Sequence, residues 1–133
     1  HSILVAEHML VLREALGAEV SKESCVIVGL FHDLGKCTYL GRPNYVHNTS
    51  TNPEGTAPYV HNKDRLPIPH QVASLHILGQ YIELTQEEAF AILYHNGLYT
   101  PDGVGMKGHE NELLMLVHMA DMWVSRFVEA QKE

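Results

Sequence analysis

Along residues 2–16, apolar side chains stand at Leu4, Val5, Leu12 and Leu16, with polar Arg13 and Glu14 between them and Gly17 just beyond. That spacing predicts an amphipathic helix, and the glycine predicts its end. His1 and His8, seven residues apart, share a face of it. Ser21 is an N-cap residue for a second helix running to about Leu34, through the apolar stretch Cys25–Phe31, with Gly35 as its stop. A third helix is expected from about His70 to Gln80. The fourth opens on the capping box Thr85-Gln86-Glu87-Glu88 and runs to His95, where Asn96-Gly97 ends it. Residues 98–108 read as a glycine-rich loop. The last helix is predicted from about Glu110 to Gln131, apolar at Leu113, Leu116, Val117, Ala120, Val124, Phe127 and Val128.

Residues 37–69 show no helical period and hold Pro43, Pro53, Pro58, Pro67 and Pro69. Within them Tyr45-Val46-His47-Asn48 is repeated as Tyr59-Val60-His61-Asn62, and Asn52-Pro53-Glu54-Gly55 between the copies is a turn signal. Two such segments around a turn predict a β-hairpin inserted between helices. Insertions of this length in compact domains tend to be lids or substrate-facing loops. The expected fold is therefore an all-α bundle of about five main helices with an inserted hairpin or loop at about 38–68. At 133 residues it forms one domain with a real core.

Charge changes the picture in one respect. A net charge of −7 argues against gripping duplex nucleic acid, whose affinity comes from Lys and Arg on phosphates. A small phosphorylated substrate is still compatible, because bound divalent metals supply local positive charge. No apolar run reaches the length of a membrane span, and there is no signal-peptide pattern. Cys25 and Cys37 read as two reduced thiols, and the expected location is the cytoplasm. Ten histidines in 133 residues is a high count that fits a metal site.

The richest stretch is Phe31-His32-Asp33-Leu34-Gly35-Lys36. It sets an ionisable pair at the inner end of an apolar helix, which is costly unless a cation or an ion pair compensates it. His1 and Asp121 offer similar ligands from other helices, and converging His and carboxylate side chains is how helical bundles build metal sites. His70 opens the third helix and His95 closes the fourth. As plain structural residues, His70 would be a helix-start histidine after Pro69 and His95 one favoured by the helix dipole.

The order His1, His32-Asp33, Asp121 resembles the H…HD…D pattern of the HD-domain metal-dependent phosphohydrolase superfamily. His1-Ser2-Ile3-Leu4-Val5-Ala6 looks like that family's first ligand helix, and His118-Met119-Ala120-Asp121 like its closing one. The likeness runs from residue 1 to about residue 124. With His70 and His95 added, the pattern resembles the two-metal subset. By that resemblance His1, His32, Asp33 and Asp121 hold one metal, and Asp33, His70 and His95 hold a second. The metals implied are one or two divalent ions among Mn, Fe, Co, Ni and Zn. The substrate implied is a nucleotide or nucleotide-derived phosphate ester, cleaved by metal-activated water with Asp33, Lys36 and Asp121 as catalytic residues. Lys36, Arg42, Lys63, Arg65 and Asn96 are the expected substrate contacts, with the Tyr99–Met106 loop lining the pocket.

His8, His76, His109 and His118 are expected to be structural or surface residues, with His118 a supporting partner of the site as the alternative. His47 and His61 are expected at the surface, with substrate contact as the alternative. Cys37-Thr38-Tyr39 and His95-Asn96 depart from the Gly-Tyr-Pro and His-His motifs of the cyclic-dinucleotide hydrolases of the superfamily, and the additional acidic motifs of the guanosine-tetraphosphate hydrolases are not found. Two rivals keep the fold: a di-iron oxygenase with the same ligands, and a non-catalytic sensor or interaction module. Because the numbering opens on an expected ligand, upstream residues are expected in the full chain. The apolar last helix offers a surface for a homodimer.

Overall fold

The computed structural model describes residues 1–49 and 57–132. Five α-helices carry the fold: α1 (Ser2–Leu16), α2 (Lys22–Phe31), α3 (His70–Leu78), α4 (Gln86–Tyr94) and α5 (Glu112–Trp123). Among the described residues no helix is long and apolar enough to cross a membrane. Helix α5 lies at the centre, packed against α1, α2 and α4. Leu113, Leu114, Leu116, Val117 and Val124 from this end of the chain meet Val5, Met9, Val28 and Ile92, all fully or almost fully buried. Each such side chain contributes roughly 1.5–3 kcal/mol by leaving water.

The caps follow the local sequence. Ser21 Oγ accepts from the Ser24 amide at 3.0 Å. Thr85 Oγ1 accepts from the Glu88 amide at 3.1 Å, and Glu88 Oε2 accepts from the Thr85 amide at 3.0 Å. Glu88 is buried, and its other oxygen accepts from Ser24 Oγ at 2.7 Å, so the capping box of α4 also ties α4 to the start of α2. A buried carboxylate is tolerated there because its oxygens are hydrogen-bonded.

Two glycines let elements approach closely enough to form the site. A Cβ on Gly29 would lie 2.5 Å from Cα of Ala6, so α1 and α2 cross with backbone almost in contact. A Cβ on Gly35 would lie 2.0 Å from the carbonyl oxygen of His70, so the turn after α2 sits directly on the start of α3. Ser74 fastens that contact. Its Oγ accepts from the Gly35 amide at 2.7 Å and lies 3.0 Å from the His32 carbonyl and 2.9 Å from the His70 carbonyl.

The expected insertion is present as two antiparallel ribbons. Thr38–Tyr39 (β1) pairs with Arg42–Pro43 (β2) across Leu40-Gly41, both with positive φ as a tight two-residue hairpin requires. Tyr45–His47 (β3) pairs with Tyr59–His61 (β4) in the register Tyr45↔His61, Val46↔Val60, His47↔Tyr59. The sequence repeat thus pairs with itself in reverse. Each tyrosine faces the other copy's histidine, with ring centroids 4.8 and 4.7 Å apart. The expected turn at Asn52–Gly55 lies outside the described residues.

Three boundaries differ from the expected ones. Helix α2 ends at Phe31, and the chain leaves helical geometry at Asp33 (φ −103°, ψ 10°) before a 3₁₀ turn over Leu34–Lys36. Residues expected as an open loop contain 3₁₀ turns at Gly97–Tyr99 and Pro101–Met106. Helix α5 stops at Trp123 and widens into a π-turn over Val124–Val128, in which the Glu129 amide donates to the Val124 carbonyl. No glycine or proline marks this change, and the apolar pattern runs through it.

Candidate metal centre

The ends of helices, with the last turn of α5, bring the six expected ligands together. His1 precedes α1, His32 caps the C-terminus of α2, Asp33 follows it, His70 opens α3, His95 caps the C-terminus of α4, and Asp121 lies in α5. The Asp33 carboxylate is the hub. Its Oδ1 lies 3.2 Å from His70 Nε2 and 3.3 Å from His95 Nε2. Its Oδ2 lies 3.6 Å from His32 Nε2 and 3.9 Å from His1 Nε2. Asp121 Oδ1 stands on the second side, 3.0 Å from His1 Nε2 and 4.0 Å from His32 Nε2. Two overlapping triads, His1–His32–Asp121 and His32–Asp33–His95, have ligand atoms close enough to hold an ion.

The tautomers follow from the backbone. Nδ1 of His32 lies 2.9 Å from the Gly29 carbonyl, and Nδ1 of His95 lies 2.7 Å from the Ile92 carbonyl. A carbonyl only accepts, so each ring carries its hydrogen on Nδ1 and presents a lone pair at Nε2. Burial lowers the His32 pKa more than Asp33 raises it, which keeps this fully buried ring neutral. Its Nε2 is buried with no hydrogen-bond partner, and so is Asp33 Oδ1. An ion between them would satisfy both atoms. These orphaned atoms fit a divalent metal in both donor type and placement.

Electrostatics around the hub agree. Burial pushes the Asp33 carboxyl up, but His70, His95, His32 and Lys36 outweigh it and hold the group well below the usual carboxylate range. Burial pushes the Asp121 carboxyl up as well, but the hydrogen bond with His1 outweighs it and lowers the group. His1 sits between Asp121 and Glu129 Oε2, the latter 2.8 Å from its Nδ1. The Asp121 bond, with that of Glu129 and against burial, raises its pKa to about 9.

Glu129 and Ser125 were not anticipated from the sequence. Ser125 Oγ donates to Asp121 Oδ1 at 3.3 Å. Eight residues beyond Asp121, a regular helix would carry a side chain roughly 80° off the Asp121 face. The wide turn at Val124–Val128 takes that rotation back and sets Glu129 on His1. Ser125 had a signal in its spacing of four from Asp121, but Glu129 had none.

The expected substrate contacts fall in different places. Lys36 Nζ donates to Asp33 Oδ2 at 2.8 Å, at the edge of a cavity that also reaches His70. Asn96 lines a second cavity with His95 and Asp121. Arg65 lines the same cavity as Lys36, donates to the Gly35 and Cys37 carbonyls and lies over the Tyr39 ring, so it also braces the turn after Asp33. Arg42 and Lys63 are exposed and line none of these cavities. Of the other histidines, His8 donates to the Leu4 carbonyl, His76 pairs with Tyr39 Oη, and His118 Nδ1 donates to the His95 carbonyl, supporting the turn that carries His95. Cys25 is buried and Cys37 exposed, both free.

The sequence pattern of the HD domain family matches residues 1–121. The chain belongs to the HD domain family. That family consists mostly of metal-dependent phosphohydrolases, and membership implies divalent-metal binding. Comparison with curated proteins and with solved structures found no match.

Proposed function

We propose that this HD domain hydrolyses a phosphate ester of a nucleotide or nucleotide-derived compound, using one or two divalent metals of the Mn, Fe, Co, Ni and Zn group. The observation that carries this reading is the Asp33 carboxylate, which turns one oxygen to His70 and His95 and the other to His1 and His32. His1, His32, Asp33 and Asp121 would hold one ion, and Asp33, His70 and His95 the other. Bound there, such ions lower the pKa of water and offset the charge of a phosphoryl group.

The chain's own part is positioning and charge. The Nδ1 bonds of His32 and His95 to backbone carbonyls fix those rings so that their lone pairs stay aimed inward. Asp121, low in pKa and held by Ser125, accepts hydrogen bonds and so orients the attacking water. The Lys36 ammonium, half-exposed and resting on Asp33, would be free to turn to a phosphate oxygen if Asp33 were engaged by an ion. Asn96 supplies amide donors beside His95. In a chain of net charge −7, bound ions would be the source of positive charge that draws a phosphate to this place.

Metal content by elemental mass spectrometry, on the parent protein and on His70→Ala and His95→Ala, is the test. Two ions per chain falling to one in both variants support the two-metal form. One ion in all three proteins would make His70 and His95 pocket walls. No metal after reconstitution with Mn²⁺ would sink the hydrolase reading. Turnover of nucleotide esters with Mn²⁺ under nitrogen separates hydrolysis from an iron oxygenase.

A further inference from the structure

Two cavities share a wall at the rim of the metal centre. The inner one, of 220 Å³, touches His95, Asn96 and Asp121. The outer one, of 820 Å³, runs over Val11 and Leu12 of α1 to Trp123 and Phe127 at the end of α5. Tyr99, Met122 and Arg126 line both. A large groove therefore adjoins the centre along one wall. That groove is of the size and apolar character of a small-molecule site, with Arg126, His8 and Tyr99 as its polar points.

Three aromatic rings stand open in this groove: Tyr99 at 70% exposure, Trp123 at 53% and Phe127 at 52%. Trp123 and Phe127 are stacked at 4.7 Å between centroids with 33° between planes. Among the described residues Arg126 has neither ion pair nor hydrogen bond, which leaves an uncommitted cation where the two cavities join.

We infer that the groove seats the flat aromatic heterocycle of the substrate, stacked on Trp123 and Phe127, while Arg126 holds negative charge on the phosphate side. This rests on the phosphohydrolase reading and narrows it to esters that carry a base. A purely aliphatic tail would need no stacked rings and no polar points along the wall. A base has both a π-face for stacking and polar edges for His8 and Tyr99. The groove shares no lining residue with the cavity that holds Lys36 and His70, so it adds a specificity wall beyond the phosphate contacts expected around Lys36.

Trp123 is the single tryptophan of the chain, so its fluorescence reports on the groove alone. The metal-reconstituted protein is titrated with adenosine 5′-monophosphate and with ribose 5-phosphate, which lacks the base. Saturable quenching by the first and a half-saturation about tenfold or more weaker for the second, read by competition, is the expected result. In Phe127→Ala, an exposed position, the preference between the two probes is expected to collapse by a similar factor at unchanged metal content. Equal affinity for both probes, with ribose 5-phosphate hydrolysed, overturns this inference and leaves the phosphohydrolase reading standing. Failure of both probes to bind while metal is present overturns it together with the nucleotide reading. Preference for an alkyl phosphate over the nucleotide overturns it in favour of an aliphatic substrate. Tryptophan emission that shifts with protein concentration, matched by a dimer in sedimentation, overturns it in favour of a second copy of the chain.

Discussion

Nδ1 of His1 lies 2.8 Å from Oε2 of Glu129, a contact between opposite ends of the described chain. A ring held through Nδ1 turns Nε2 toward Asp121 and Asp33. Carboxylate partners of this kind typically alter metal affinity by about 10–100-fold. Glu129→Ala is expected to weaken binding at the His1 side by about that factor, and Glu129→Gln by less. Competition against a chromogenic chelator measures it. Parent-like affinity in both variants would show that the contact does not orient His1.

Gly35→Ala tests how the turn after Asp33 meets α3. The added carbon would lie 2.0 Å from the His70 carbonyl oxygen and 2.8 Å from Ala73 Cβ and from the Ser74 amide nitrogen. Two backbone segments must separate to admit it, breaking the hydrogen bond from Gly35 to Ser74. Overpacking against backbone belongs to the severe class of substitutions, so a loss of about 3 kcal/mol or more is expected in urea denaturation. Because Asp33 and His70 move apart, metal affinity is expected to fall with stability. A stable variant with full metal content would show that the close approach is not needed.

The parts of this fold that are written locally were readable from the sequence. Thr85 and Glu88 cap α4 as their spacing demands, and the two Tyr-Val-His-Asn copies pair as a hairpin. The six donors were nameable from their order along the chain, and the helix ends bring them within a few ångströms of one another. What stayed hidden depends on contacts made only in three dimensions. Ser74 looks like an ordinary helix serine until Gly35 arrives beside it. The π-turn has no residue that announces it, so Glu129 and Arg126 fell on unexpected faces. Arg65, expected to meet substrate, lines the cavity of Lys36 and His70 and also donates to the Gly35 and Cys37 carbonyls, a bracing contact its place in the chain does not announce.

The pH dependence of the metal-free protein follows from His1. Its pKa rises from 6.5 to about 9 on folding, through the hydrogen bond to Asp121 and, against burial, that to Glu129. The protonated ring is the form these carboxylates favour. Its contribution to stability is therefore complete below about pH 6.5, shrinks as pH rises, and is gone above about 9. Melting temperature of the chelator-treated protein is expected to decline between those values, and His1→Gln is expected to flatten that decline. Since ligation needs a neutral ring, metal binding below about pH 9 is expected to release a proton from His1, readable by calorimetry in buffers of different ionisation enthalpy. An uptake independent of buffer would contradict the assignment.

Asp33→Asn and Asp121→Asn separate a shared ligand from a private one. Both substitutions keep shape and remove charge. Asp33 faces His70 and His95 with one oxygen and His1 and His32 with the other, whereas among the described residues the histidines paired with Asp121 are His1 and His32. If the two groups of donors hold two ions, losing the Asp33 charge weakens both, and losing the Asp121 charge weakens one. Elemental analysis after dialysis is expected to find almost no metal in Asp33→Asn and about one ion per chain in Asp121→Asn. Circular dichroism guards against misfolding. Unequal retention in the opposite sense, with Asp33→Asn keeping an ion that Asp121→Asn loses, would place the metal at the His1, His32 and Asp121 triad and make Asp33 a partner of the neighbouring histidines only.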